Sequence, residues 1–153
     1  MAKEIERKFL VHAEKLPPLP AAHIIKQGYV PTNGTTVRIR IRNEKAYLTL
    51  KGNTTGITRS EFEYAIPLAD AQAMLDELCT KPYITKKRYL IEHTGHTWEL
   101  DIFEGENEGL IVAEIELESE DEVFERPEWV AKEVSDNPCY RNAFLAEYPY
   151  TSW

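Results

Sequence analysis

The feature that most constrains this chain is a period-two alternation whose polar positions are charged and often of one sign. Residues 36–43 give the plainest case. Val37, Ile39 and Ile41 fall on one face, and Arg38, Arg40 and Arg42 on the other. A strand puts successive side chains on opposite faces, so this pattern predicts a strand with an apolar side and a purely cationic side. Related stretches occur at 3–11, 46–51, 59–66, 84–92, 97–104 and 110–118. The turn-rich Gly52-Asn53-Thr54-Thr55-Gly56 joins two of them, and Thr94-Gly95-His96 centres a hairpin. Helical spacing is confined to 69–80 (Ala71, Met74, Leu75, Leu78) and to two capped segments. Ser119-Glu120-Asp121-Glu122 predicts a short helix ending near Pro127, and Asn137-Pro138 opens a helix running to about 147. The fold expected is mainly β with a few helices (α+β), its eight or so antiparallel strands closing into a barrel. The 153 residues contain no linker or repeat and read as one domain, 1–153.

The charged rows carry the chemistry. Glu4, Glu6 and Lys8 share a face; so do Thr49 and Lys51, Glu61 and Glu63, Lys86 and Arg88, Glu99 and Asp101, and Glu114, Glu116 and Glu118. Phe62, Tyr64, Trp98, Leu100, Ile102, Ile115 and Leu117 make the opposite faces apolar. One such strand is explained by a solvated outer face. A succession is not, because like charges at i and i+2 lie about 7 Å apart and repel, and Glu and Lys are disfavoured in strands. Rows facing a wet interior fit better. Carboxylate pairs suit a hard divalent cation, and rows of Arg and Lys suit the oxygens of a polyphosphate. No phosphate-binding glycine loop is present to do this another way.

Composition narrows the partners. The net charge of −8 argues against nucleic acid as the main partner. No apolar run approaches the ~20 residues of a membrane span. The charged opening Met1–Lys8 lacks the apolar core of a signal peptide, which points to the cytoplasm. Cys79 and Cys139 have no metal-ligand spacing and are expected to be reduced and structural.

The residues also resemble a known family. Glu4-Ile5-Glu6-Arg7-Lys8 carries the Glu-x-Glu-x-Lys signature of the CYTH superfamily, the triphosphate tunnel metalloenzymes. The likeness continues through Gln27-Gly28-Tyr29, Val37-Arg38-Ile39-Arg40, Thr49-Leu50-Lys51 and Arg59-Ser60-Glu61-Phe62-Glu63. It resumes at Thr85-Lys86-Lys87-Arg88-Tyr89, Leu100-Asp101-Ile102-Phe103, Ala113-Glu114-Ile115-Glu116 and Tyr140-Arg141-Asn142. The resemblance implies an eight-stranded antiparallel tunnel open at both ends, with helices packed outside. It further implies Mg2+ or Mn2+ on Glu4, Glu6, Glu61, Glu63, Asp101, Glu114 and Glu116. Phosphate would be held by Lys8, Arg38, Arg40, Lys51, Lys86 and Arg88, and catalysis would centre on Glu4, Glu6, Lys8 and Arg40. The activity implied is metal-dependent hydrolysis of a small triphosphate, foremost inorganic tripolyphosphate, by a monomer or homodimer. A class IV adenylyl cyclase, a nucleoside or thiamine triphosphatase and a polyphosphate-binding module are the alternatives. Glu118 and Arg42 are placed at the rim, Arg7 outside, and Tyr29 in the tunnel wall, the core or the rim. Arg141 lies on the C-terminal helix near the tunnel, where Ala143-Phe144 stands in place of a further basic residue of some relatives. Trp129 and Trp153 mark a partner surface or cover the barrel. His93 and His96 flank a turn and carry no assigned role.

Overall fold

The computed structural model describes residues 2–153. Nine strands form: β1 (Lys3–Val11), β2 (His23–Val30), β3 (Thr36–Arg42), β4 (Lys45–Lys51), β5 (Thr58–Ile66), β6 (Ile84–His93), β7 (His96–Phe103), β8 (Ile111–Glu116) and β9 (Val130–Glu133). Eight of them close a barrel in the order β5-β4-β3-β2-β6-β7-β8-β1, sealed by a pairing of β1 with β5. Every pairing is antiparallel. The seal is short, with Lys3 opposite Ser60, Glu4 opposite Arg59 and Ile5 opposite Thr58. Beyond it β1 leaves β5 and pairs with β9 instead. The 94–95 turn takes left-handed backbone at both residues (φ 45° at Thr94, 85° at Gly95), as a two-residue hairpin demands.

The apolar faces point outward and are covered from outside. On β1, β7 and β8, Phe9, Trp98, Leu100, Ala113 and Ile115 are buried beneath Leu117 and Trp129, with Phe124 edge-on to Trp98. Trp129 therefore covers the barrel, whereas Trp153 is half exposed and stacks on Tyr140 and Tyr150. On β3 and β4, Ile39, Ile41 and Ala46 pack under Ala71 and Leu75 of α1 (Leu68–Glu77). Cys79, free and buried, sits beside them. Gly28 lets α1 approach, since a Cβ there would lie 2.8 Å from Cys79 Cβ and 2.9 Å from Leu75 Cδ2. Burial of each large side chain in these layers contributes about 1.5–3 kcal/mol, so much of the stability of the barrel resides on its outside.

Several elements depart from the sequence expectations. The helix predicted after Ser119 does not form. Ser119 Oγ donates to Asp121, the Glu118 amide donates to Glu122 Oε1, and the segment runs irregularly. Packing of Phe124 against Phe9 and Trp98 outweighs a local helix in so acidic a stretch. The predicted 138–147 helix is split into a 3-10 turn, Pro138–Tyr140, and α2 (Asn142–Glu147), though Asn137 does accept from the Cys139 amide as a cap. β2 and β9 lie outside the stretches read as strands. Phe62 and Tyr64 face solvent on β5, because α1 covers β3 and β4 instead.

The two ends of the barrel differ. At one end the inward positions turn apolar, with Ile84, Phe103 and Val112, and α2 lies across them through Leu145 and Ala146. At the other the inward residues remain charged.

Candidate active site

The inward faces carry the predicted rows. Strand register brings them together: Lys8 lies opposite Glu114, Glu6 opposite Glu116, Arg88 opposite Asp101, and Lys51 opposite Glu61. They surround a cavity of about 410 Å³ lined by Glu4, Glu6, Lys8, Arg38, Arg40, Lys51, Lys86, Arg88 and Glu114. That volume suits a small molecule. Half of the residues that line it are ionic, and each ion taken from water costs several kcal/mol unless it is well paired. A barrel stabilised from outside has no structural need of such an interior, which marks it as a binding site.

The cations are organised by carboxylates. Asp101, fully buried, accepts from Arg88 Nε (2.7 Å) and Nη2 (2.8 Å) and from Lys86 Nζ (2.7 Å). Arg88 also donates to Glu99 (3.0 Å). Lys51 spans Glu4 (3.0 Å) and Glu61 (3.2 Å), Arg38 reaches Glu63 (3.3 Å), and Lys8 lies 3.4 Å from Glu114. Asp101 is thus occupied with two cations. Glu63, its side chain 43% exposed, bridges Arg38 and Thr49. Arg7, as expected, lies outside, paired with Glu133. Arg42 sits by Tyr47 near the 43–44 turn.

Side-chain amides connect further cations. Gln27, fully buried, accepts from Arg40 Nε (2.7 Å) and donates to the Tyr29 hydroxyl (2.8 Å) and to Asn142 Oδ1 (3.2 Å). Asn142 Oδ1 also accepts from Lys86 Nζ (2.9 Å), and the Tyr140 carbonyl accepts from Lys8 Nζ (3.0 Å). Gln27 and Asn142 were not singled out in the sequence as site residues, although both fall in stretches that carry the family likeness. Tyr29 does line the cavity.

The site is charged against its own burial. Burial, with Arg38 and Arg88 nearby, brings Arg40 down to about 9. Burial also takes Lys86 down to about 7 in spite of Asp101, with Arg88 and Arg40 adding to the effect. An arriving anion restores its charge. Arg38 Nε is buried with no partner. Of these three, Arg40 makes no ion pair among the described residues, and an oligophosphate supplies the charge it lacks.

The acidic side has the converse need. Burial and the neighbouring Glu114 and Glu4 push Glu6 well above the ordinary carboxylate range, and it shares a hydrogen bond with Glu114. Against the cost of burial, Lys8, Arg88 and Lys86 hold Glu114 well below that range. Glu61 and Glu116 are raised by burial and by Glu4. One carboxylate oxygen from each of Glu6, Glu99 and Glu114 lies within 4.8 Å of the others. Oxygen donors that cannot all ionise together fit a hard divalent cation. Glu99 joins this cluster, although of the three only Glu6 and Glu114 were among the seven expected ligands; its place on the Asp101 face was the available signal.

A raised carboxylate favours folding while protonated and opposes it once ionised. Glu6, Glu61 and Glu116 are raised, so the metal-free protein should lose thermal stability as pH rises from about 5 to 7. The lowered Glu114 and Asp101 act below their ordinary values, outside that window. Melting curves in chelator should show the decline, and added Mg2+ or Mn2+ should reverse it most at the higher pH. A melting temperature that climbs with pH in chelator contradicts this reading of the acidic side.

Among known proteins, the sequence profile of the CYTH domain matches residues 2–139. An inorganic triphosphatase of Acetivibrio thermocellus is 46% identical over 154 residues, covering 100% of this chain and 99% of its own length. An inorganic triphosphatase of Nitrosomonas europaea is 34% identical over 148 residues, covering 94% and 96% respectively. A crystal structure described as an inorganic triphosphatase superposes with a TM-score of 0.67 at 30% identity, covering 93% of this chain and 96% of that one.

Proposed function

The chain belongs to the CYTH domain family, and from that membership and the charged tunnel we propose that it is an inorganic triphosphatase. As one domain, it hydrolyses tripolyphosphate to pyrophosphate and phosphate with Mg2+ or Mn2+. The observation that carries this reading is the meeting in one cavity of a deep cation, Arg40, that makes no ion pair among the described residues, and a carboxylate, Glu6, pushed well above its ordinary range beside Glu99 and Glu114. A metal–triphosphate complex satisfies both at once. The identity of the curated relatives over the whole chain supports the same substrate.

Glu6, Glu99 and Glu114 hold the metal, with Glu4, Glu61 and Glu116 as neighbouring acidic groups. When bound, the divalent ion supplies Lewis-acid charge to the phosphoryl oxygens. Lys8, Arg38, Arg40, Lys86 and Arg88 grip the non-bridging oxygens, and Lys51 approaches from the Glu4 side. Asp101 acts as the organiser of Lys86 and Arg88, fixing both before the substrate arrives. In the reaction a water oxygen bonds to the terminal phosphorus, the anhydride P–O bond breaks, and pyrophosphate leaves with the bond electrons. Charge grows on the leaving oxygen, and fixed cations stabilise it without reorganising. No helix among the described residues is long and apolar enough to cross a membrane.

So compact a cation set favours a short, highly charged anion over a nucleotide. With tripolyphosphate, ATP and a cyclic AMP assay run side by side, phosphate release from tripolyphosphate should exceed that from ATP by at least about tenfold, without cyclic AMP. Cyclic AMP formation from ATP would assign the tunnel to cyclisation instead.

A further inference from the structure

Five cations of the cavity are matched by carboxylates: Lys8, Arg38, Lys51, Lys86 and Arg88. Arg40, Arg59 and Arg141 also line it, yet among the described residues none of the three has a carboxylate oxygen within 4.0 Å. Arg40 lies deep, held by Gln27. Arg59 and Arg141 approach the cavity from separate parts of its wall. Arg59 precedes Glu61 and Glu63 on the inward face of β5, opposite Glu4 on β1. Arg141 stands between the 138–140 turn and α2.

Arg59 is built into place rather than left free. Its Nε donates to the Gly52 carbonyl (3.1 Å) and its Nη2 to Thr36 Oγ1 (3.2 Å). Both acceptors are neutral, so the guanidinium is oriented without a carboxylate in ion-pair contact among the described residues. Burial pulls its pKa down and Arg141 adds to the effect, while Glu4 and Glu6 act against it from farther than ion-pair distance. Two like charges set beside one cavity, one of them fixed by neutral acceptors, are poorly placed until an anion joins them.

We propose that Arg59 and Arg141 form an outer anion subsite of the tunnel that takes the phosphoryl group of the substrate farthest from the inner cations. This deepens the triphosphatase reading and rests on it. Tripolyphosphate spans the inner cations and the outer pair together. Pyrophosphate fills the inner cations and falls short of the pair. The outer subsite thereby selects three phosphoryl groups over two and assists release of the shorter product.

Binding of tripolyphosphate and of pyrophosphate to the metal-free protein in chelator, by titration calorimetry, tests the subsite apart from turnover. The wild type should bind tripolyphosphate more tightly. In Arg59→Gln that affinity should fall roughly tenfold to a hundredfold, the loss typical of a charge-assisted contact. Pyrophosphate affinity should change less than about threefold, since its contacts remain. Arg141→Gln, on an exposed residue, should act in the same direction and guards against a fold defect in Arg59→Gln. Equal losses for both ligands, or none for either, overturn the subsite. A wild type that hydrolyses tripolyphosphate but shows no such discrimination defeats the subsite alone. A wild type with the discrimination but without hydrolysis on adding metal keeps the subsite and defeats the hydrolase reading.

Discussion

Glu6→Gln should reduce phosphate release from tripolyphosphate by roughly 100-fold or more while raising the melting temperature of the metal-free protein at neutral pH. The two effects have one cause. Glu6 is a carboxylate on the cavity wall beside Glu114 and Glu4, and its pKa is raised well above the ordinary range. Its ionised form therefore opposes folding until a cation joins it. Glutamine keeps the shape and removes that charge, which relieves the barrel but deprives the metal cluster of an anionic ligand. The melting temperature in chelator and the steady-state rate with metal check the two halves on one preparation. A variant that loses activity because it is less stable would deny Glu6 this role.

Arg40→Gln carries the second large effect, on the opposite wall. Among the described residues no carboxylate oxygen lies within 4.0 Å of Arg40, and Gln27 fixes its guanidinium. It meets charge only when substrate is bound. Removing one fixed donor that stabilises transition-state charge costs roughly 10²–10³ in rate, and Arg40→Gln should fall in that range with its fold retained. Lys87→Gln is the control. Lys87 lies on the outer face of β6, half exposed and 3.8 Å from Glu104, where a lost charge should change stability by less than about 0.5 kcal/mol and leave activity near wild type. Steady-state rates of the two variants, compared at saturating tripolyphosphate, separate a placed cation from a merely cationic surface.

The rows themselves were legible because strand parity is a local property. Arg38 and Arg40 must share a face whatever the fold around them, and so must Glu4, Glu6 and Lys8. The closed antiparallel barrel followed from the number of such strands. What the sequence left hidden depends on register between strands distant in the chain. Glu99 stands beside Glu6 and Glu114 only because β7 pairs with β8 and β8 with β1. Asp101 read as one more carboxylate in a row, and only the packing of β6 on β7 reveals it as the partner of both Lys86 and Arg88. β2 carried little charge signal, since its inward positions include the neutral Gln27 and Tyr29. The expected helix after Ser119 yielded to Phe124, whose place over Trp98 is tertiary. Arg59 shows the limit from the other side. Its parity with Glu61 was readable, but its lack of a carboxylate partner appears only once the neighbouring side chains are in place.

The most direct test of the central claim is phosphate release from tripolyphosphate by the wild-type protein, titrated with Mg2+ and Mn2+ and then with chelator. The account predicts turnover that rises with metal, disappears with chelator and returns when metal is restored. Phosphate release that persists unchanged in chelator would contradict it, since the acidic cluster would then have no part in the reaction. Absence of turnover at any metal concentration, alongside tight tripolyphosphate binding, would make the tunnel a polyphosphate-binding module rather than an enzyme.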